Sequence, residues 1–204
     1  MINVVVDLYH GDGHVDFAQA KADEIEGIIH KATQGHHPDP EYAGRKPLAL
    51  QAGLMWGAYH FGNGEDAHDQ AKRFLDVVQP DDKTLLVLDF EPNPHGTTMS
   101  LAQARTFVSY VANARGGYWP GLYGGGYLKE QLGQNDDPIL SRCWLWLAQY
   151  GPHAVIPPAW PMWTMWQYTD GALGPQPHTV HGIGRCDRNF FNGDLTQLRQ
   201  LWGY

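Results

Sequence analysis

"LLVLDFEPN", residues 85–93, runs four apolar residues straight into two acids set two positions apart, Asp89 and Glu91. A run that is apolar on both faces reads as a strand covered on both sides, as in a parallel sheet with helices packed over it. A half-exposed strand would alternate instead. Successive side chains on a strand point to opposite faces, so Asp89 and Glu91 face one way and Phe90 the other. The stretch therefore argues for an α/β fold, and it leaves a pair of like-facing acids where a turn residue is the ordinary ending.

Similar apolar runs recur along the chain: "INVVVDL" (2–8), "GIIHKAT" (27–33), "LMWGAYHF" (54–61), "PGLYGG" (120–125), "CWLWLAQY" (143–150), "TMWQYTD" (164–170) and "CDRNFF" (186–191). Helical patterns separate the early ones. They begin at "VDFAQAKADE", at "EYAGRKPLALQAG" with Pro47 expected to disturb or delay the helix, and at "EDAHDQAKRFLDVV". The clearest is "SLAQARTFVSYVANARGG", where Ser100 and Gln103 make a capping box and Leu101, Ala104, Phe107, Val108 and Val111 share a face. A short helix can fit within 128–142. The segments 151–161 and 171–185 are too rich in Pro and Gly for one, and "DLTQLRQLWG" offers a last helix behind Asp194. Five βα units followed by strands joined by loops close most simply as a flattened TIM-like (β/α)5(β)3 barrel, taken as a single domain over residues 1–204. The alternative, an open doubly wound sheet, usually carries a Gly-rich phosphate loop after its first strand. "DLYHGDGH" is not one.

Bulk properties remove several functions. The 204 residues are 43% hydrophobic and 18% charged, enough for a substantial core, and eight Trp with ten Tyr suit a surface that binds rings. Fourteen Lys and Arg against 22 Asp and Glu leave a net charge of −8, with no basic run for nucleic acid and no attraction toward an anionic membrane. Cys143 and Cys186 match no zinc spacing and read as buried free thiols. The chain opens directly into an apolar strand without a signal-peptide pattern. The expectation is a monomer that leaves the cell, if it does, by lysis, by a non-classical route or after removal of a leader.

In a barrel of this kind the reacting groups gather at the carboxyl ends of the strands. Those ends carry Asp7, Lys31 and Gln34, Tyr59 and His60, Asp89 and Glu91, Tyr123, Gln149 and Tyr150, Gln167 and Tyr168, and Asp187. Two carboxyls held close cannot both ionise freely, which raises the proton affinity of one. A glycosidase uses that asymmetry: one acid protonates the leaving oxygen while one carboxylate steadies the positive charge at the anomeric carbon. Glu91, with the longer reach, is the expected acid and Asp89 the charged partner, with Asp7 and Asp187 shaping the field around them. The bland reading is that such acids only bind loop amides or face solvent.

The runs "VVVDLYHG", "IIHKATQG", "AGLMWGAYHF", "LLVLDFE", "PGLYGGGYL", "WLWLAQY", "MWQYTDG" and "DRNFF" follow one another in an order that resembles family-25 glycoside hydrolases, the Chalaropsis-type lysozymes found in bacteria, fungi and phage endolysins. The resemblance spans residues 2 to 194. It implies the same barrel and N-acetylmuramidase activity on the β-1,4 bond between N-acetylmuramic acid and N-acetylglucosamine of peptidoglycan strands, with retention. It places Asp7, Asp89, Glu91 and Asp187 on the family's acids, with the glutamate as proton donor. The aspartate either attacks or steadies the substrate's own acetamido group, and the second is favoured here. The first strand departs from the family pattern in bringing in Tyr9, His10 and His14.

Tyr59, Tyr123 and Tyr150 are the expected sugar-stacking residues, with Trp146 a further candidate and Trp166 assigned to packing. Gln167 is placed to bind a sugar hydroxyl or acetamido group, and Lys31 to pair with a rim carboxylate or close a structural ion pair. His10, His14, His36, His37 and His60 sit near strand tops, yet no H-E-x-x-H lies on a helix, so neither a metal nor another cofactor is expected. Two other readings stand beside the leading one: a carbohydrate-binding barrel without turnover, and a metal-dependent hydrolase on the same scaffold.

Overall fold

The computed structural model describes residues 1–204. Eight strands form the barrel: β1 (Ile2–Leu8), β2 (Gly27–Gln34), β3 (Met55–Phe61), β4 (Leu85–Asp89), β5 (Gly121–Gly124), β6 (Trp144–Ala148), β7 (Met165–Thr169) and β8 (Asp187–Phe191). Strands β1 to β7 pair in parallel, each with the next. β8 then lies antiparallel between β7 and β1 and closes the ring. Helices α1 (Phe17–Ala22), α2 (Tyr42–Gln51), α3 (Ala67–Val78), α4 (Leu101–Ala114) and α5 (Gly126–Leu132) follow the first five strands, and α6 (Leu195–Leu201) follows the last. The expected (β/α)5(β)3 barrel is the observed one. No helix is long and apolar enough to cross a membrane.

Strand alternation sorts the core into two layers. Leu86, Leu88 and Phe90 join the 36-residue cluster between sheet and helices, whereas Leu85 and Val87 belong to an 11-residue cluster inside the barrel. The inner cluster is small because the upper half of the lumen carries polar side chains in place of apolar ones. Its lower end is closed by α6 and its C-cap, where Leu198 and Trp202 are buried among the strand starts. A Cβ on Gly27, at the foot of β2, would lie 3.0 Å from the Trp202 ring. Gly121 at the foot of β5 is needed for the same kind of reason, since a side chain there would overlap the Trp144 ring.

The capping box of Ser100 and Gln103 forms as expected at α4, and Asp194 caps α6. Pro47 is a departure: α2 runs from Tyr42 through it to Gln51. A proline removes one N–H and with it one helical bond, and packing of Tyr42, Arg45 and Ala49 against the sheet holds the helix across that gap. β4 ends at Asp89 rather than Glu91, with the alternation continuing into the loop. Two expected rim residues face outward instead. His60 is fully buried under α3 and α4, stacked on Phe107 with ring centroids 4.7 Å apart, its ring nitrogens 2.7 Å from Thr33 Oγ1 and 3.0 Å from Gln70 Oε1. Tyr168 is likewise buried in the outer layer.

Candidate active site

The upper mouth of the barrel is a cavity of about 290 Å³ walled by carboxyls on one hand and aromatic rings on the other. Asp7, Asp89, Glu91 and Asp187 all line it, together with Lys31, Tyr59, Tyr123, Tyr150 and Gln167. The strand period explains the convergence. Asp7 points inward from the end of β1, Tyr59 from β3 and Asp89 from β4, and the next same-facing positions, Tyr9, Phe61 and Glu91, extend the wall above them. Tyr9 stands out in the sequence only as a departure from the family pattern and Phe61 not at all, although the two-residue step from Asp7 and Tyr59 points to both. Trp146 forms part of the floor and is 1% exposed.

Asp187 reaches this rim by another route than the rest. It is the first residue of β8, and because that strand is antiparallel its start lies at the same end as the other strands' finish. Asp7 and Asp187 are register partners across the β1–β8 ladder. Their carboxyls hydrogen-bond each other.

A chain of amides fixes Asp7. Gln167 Nε2 donates to Asp7 Oδ2 at 2.9 Å and Asn189 Nδ2 donates to Asp7 Oδ1 at 2.8 Å. Each amide is oriented from behind: the hydroxyls of Tyr123 and Tyr150 donate to Gln167 Oε1 at 2.7 and 2.8 Å, and Trp146 Nε1 donates to Asn189 Oδ1 at 2.7 Å. With the carbonyl ends so occupied, only N–H groups can face Asp7. Gln167 was expected to address a sugar, but both ends of its amide are engaged by the protein. Asn189 is not among the residues expected at the site, although the two-residue step from Asp187 gives it the same facing.

The electrostatics follow from burial. Loss of solvent pushes Asp7 up to about 6 against the two amides that favour its charge, and pushes Asp187 up to about 9, with the Asp7 charge adding to it. One proton therefore sits between them, carried by Asp187 and donated to Asp7. Burial, then the charges of Glu91 and Asp7, drive Asp89 well above the carboxylate range, while Lys31 opposes the rise. Burial and Asp7 raise Glu91 as well. Burial and like charge thus raise the proton affinity of both members of the pair, and Glu91, the less buried of the two, faces the opening. Asp89 Oδ1 is buried without any hydrogen-bond partner, a costly state for an acceptor.

Lys31 stands at the edge, 4.8 Å from the Tyr9 ring centroid and 3.5 Å from Gln34 Oε1. Of the other expected rim residues, Gln149 is bound by Lys129 Nζ at 2.6 Å and lies outside the cavity. The one cluster with metal-ligand spacing, Asp66, His68 and Asp69, is exposed at the start of α3 and apart from the cavity. Cys143 and Cys186 are free and buried, and burial pushes both thiols up to about 12, which leaves them unreactive.

A mixed barrel whose mouth joins a proton-holding carboxyl pair to aromatic walls defines a glycosidase. Comparison with known proteins narrows the class. Residues 6–175 match the family described as Glycosyl hydrolases family 25, and the chain belongs to that family. It is similar to Lysozyme M1 of Streptomyces globisporus, 28% identical over 96% of this chain and 70% of that protein. Among solved structures, a family 25 lysozyme from Aspergillus fumigatus superposes with a TM-score of 0.84 at 30% identity, covering 100% of both chains. A muramidase from Acremonium alcalophilum gives the same TM-score at 28% identity, covering 100% of this chain and 99% of that one.

Proposed function

We propose that this chain is a peptidoglycan hydrolase, a lysozyme that cleaves the β-1,4 bond following N-acetylmuramic acid with retention, the whole span 1–204 acting as one catalytic domain. The observation that carries the reading is the carboxyl arrangement at the barrel mouth: Glu91 at the opening above Asp89, a buried carboxyl with an unmet acceptor. Glu91 gives its proton to the leaving glycosidic oxygen. Asp89, a carboxylate while the pair's one proton sits on Glu91, accepts the N–H of the substrate's 2-acetamido group on its orphan oxygen and steadies the positive charge at the anomeric carbon as the acetamido oxygen closes on that carbon. Water then opens the ring with Glu91 as base. Asp7, pinned by Gln167 and Asn189, holds a fixed negative charge beneath the site, and Asp187 keeps that charge single by retaining a proton. Tyr59 and Tyr9 provide ring faces, while Tyr123 and Tyr150 hold Gln167. The reading has the chain act as a monomer on glycan strands of the wall.

Mass spectrometry of digested peptidoglycan tests the reading: fragments ending in a reducing muramic acid are expected, and fragments ending in reducing glucosamine refute it. Glu91→Gln keeps the shape and removes the proton, so it should lower turnover at least about a hundredfold with folding intact.

A further inference from the structure

Beside the carboxyl pocket lies a second cavity of about 290 Å³, sharing Lys31 with it and running over the loops that follow β1 to β4. The two are opposite in character. All the Tyr, Phe and Trp rings at the mouth belong to the first; the second has none of these, and its wall is made by His10, Lys31, Gln34, His37, Asn93 and His95 with a few neighbours. Its one acid, Asp39, is turned in: the side chain is fully buried, with Oδ2 taken by His10 Nδ1 at 2.7 Å and Oδ1 by the Glu41 N–H at 3.0 Å. The side chains of His37 and His95 and the Gln34 N–H₂ bind no protein group, so N–H donors are left free to face the cavity.

A sugar ring is held by a flat apolar face plus hydrogen bonds. A donor-lined cavity without such a face suits acceptor-rich, negatively charged groups instead. The proposed substrate brings one to this place by its own chemistry. N-acetylmuramic acid carries at its lactyl group a short peptide rich in carboxylates and amide carbonyls, so a strand reacting at Asp89 and Glu91 must send that peptide sideways out of the aromatic pocket. Lys31 stands where the two cavities meet.

Resting on the muramidase reading, we propose that the second cavity receives the proximal stem peptide, with His37, His95 and Lys31 engaging its carboxylates. The chain thereby distinguishes peptide-bearing glycan from bare glycan. Calorimetry on the Glu91→Gln protein tests this with a disaccharide-peptide and with the same disaccharide lacking the peptide. The peptide should tighten binding about tenfold. His37→Ala with His95→Ala in the same protein should abolish that gain while leaving the bare disaccharide's affinity unchanged. Equal affinity for the two ligands overturns the proposal, and so does a loss shared by both in the double variant, which would make the cavity a sugar site. The wild-type digestion of bare glycan reports on the muramidase reading separately, because binding to the Glu91→Gln protein needs no turnover.

Discussion

Asp89 and Asp187 are both acids raised by burial, and their neighbours give them opposite work. Asp89 faces Glu91 with a free oxygen; Asp187 faces Asp7, whose own oxygens are already bound by two amides. Asp89→Asn removes the negative charge that faces the anomeric carbon as the bond breaks and should cost roughly 10²–10³ in turnover on soluble glycan; a variant within a few-fold of wild type would remove Asp89 from the chemistry. Asp187→Asn should act on stability through pH. Its carboxyl is raised from 3.8 to about 9, so the folded state holds a proton that the unfolded chain has lost. That stabilisation is complete below about pH 4 and falls away as pH climbs to about 9. An amide does not titrate, and it can still donate to Asp7. Thermal unfolding of the variant should match wild type near pH 4 and exceed it increasingly toward pH 9; a gap constant across that range would mean that Asp187 does not carry the proton. The acids themselves were legible from sequence because each ends or begins an apolar run. The Gln167 link to Asp7 was not, since 160 residues separate the two and only barrel closure joins them.

At the scale of elements, periodicity revealed where strands lie and which face each residue takes, but not which way a strand runs. Asp187 was expected at the rim as a strand end, and it is there as a strand start, because β8 is antiparallel. The same blindness hid the role of α6. Its apolar pattern announces a helix, yet nothing in "DLTQLRQLWG" says that it seals the barrel floor. Trp202 fills that floor against Gly27, and it is 1% exposed. Trp202→Ala should therefore open a cavity at the foot of the inner core and lower unfolding free energy by roughly 3–5 kcal/mol, read from denaturant melts. The carboxyls lie at the other end of the lumen, so turnover per folded molecule should stay near wild type at low temperature. A large loss of activity in the folded variant would show that the floor also tunes the mouth.

For the molecule as a whole, charge and local site chemistry pull in different directions. The chain carries a net charge of −8, while the groove beside the carboxyls presents Lys31 and unpartnered histidines. At about 10 mM salt the screening length is near 30 Å, so an approaching wall senses the whole chain; at about 150 mM it is near 8 Å, and only the groove counts. Walls rich in anionic polymer should thus be approached slowly at low salt, and the specificity constant for such walls should rise as salt increases from about 10 to 150 mM. Short uncharged glycan oligomers, which feel no net repulsion, should be cut at a rate that hardly changes over the same range. Comparing the two substrates separates long-range repulsion from any effect of salt on the chemistry. A wall-lysis rate that falls with salt would mean that Lys31 and the groove around it outweigh the net charge, and that encounter is governed by the mouth rather than by the surface around it.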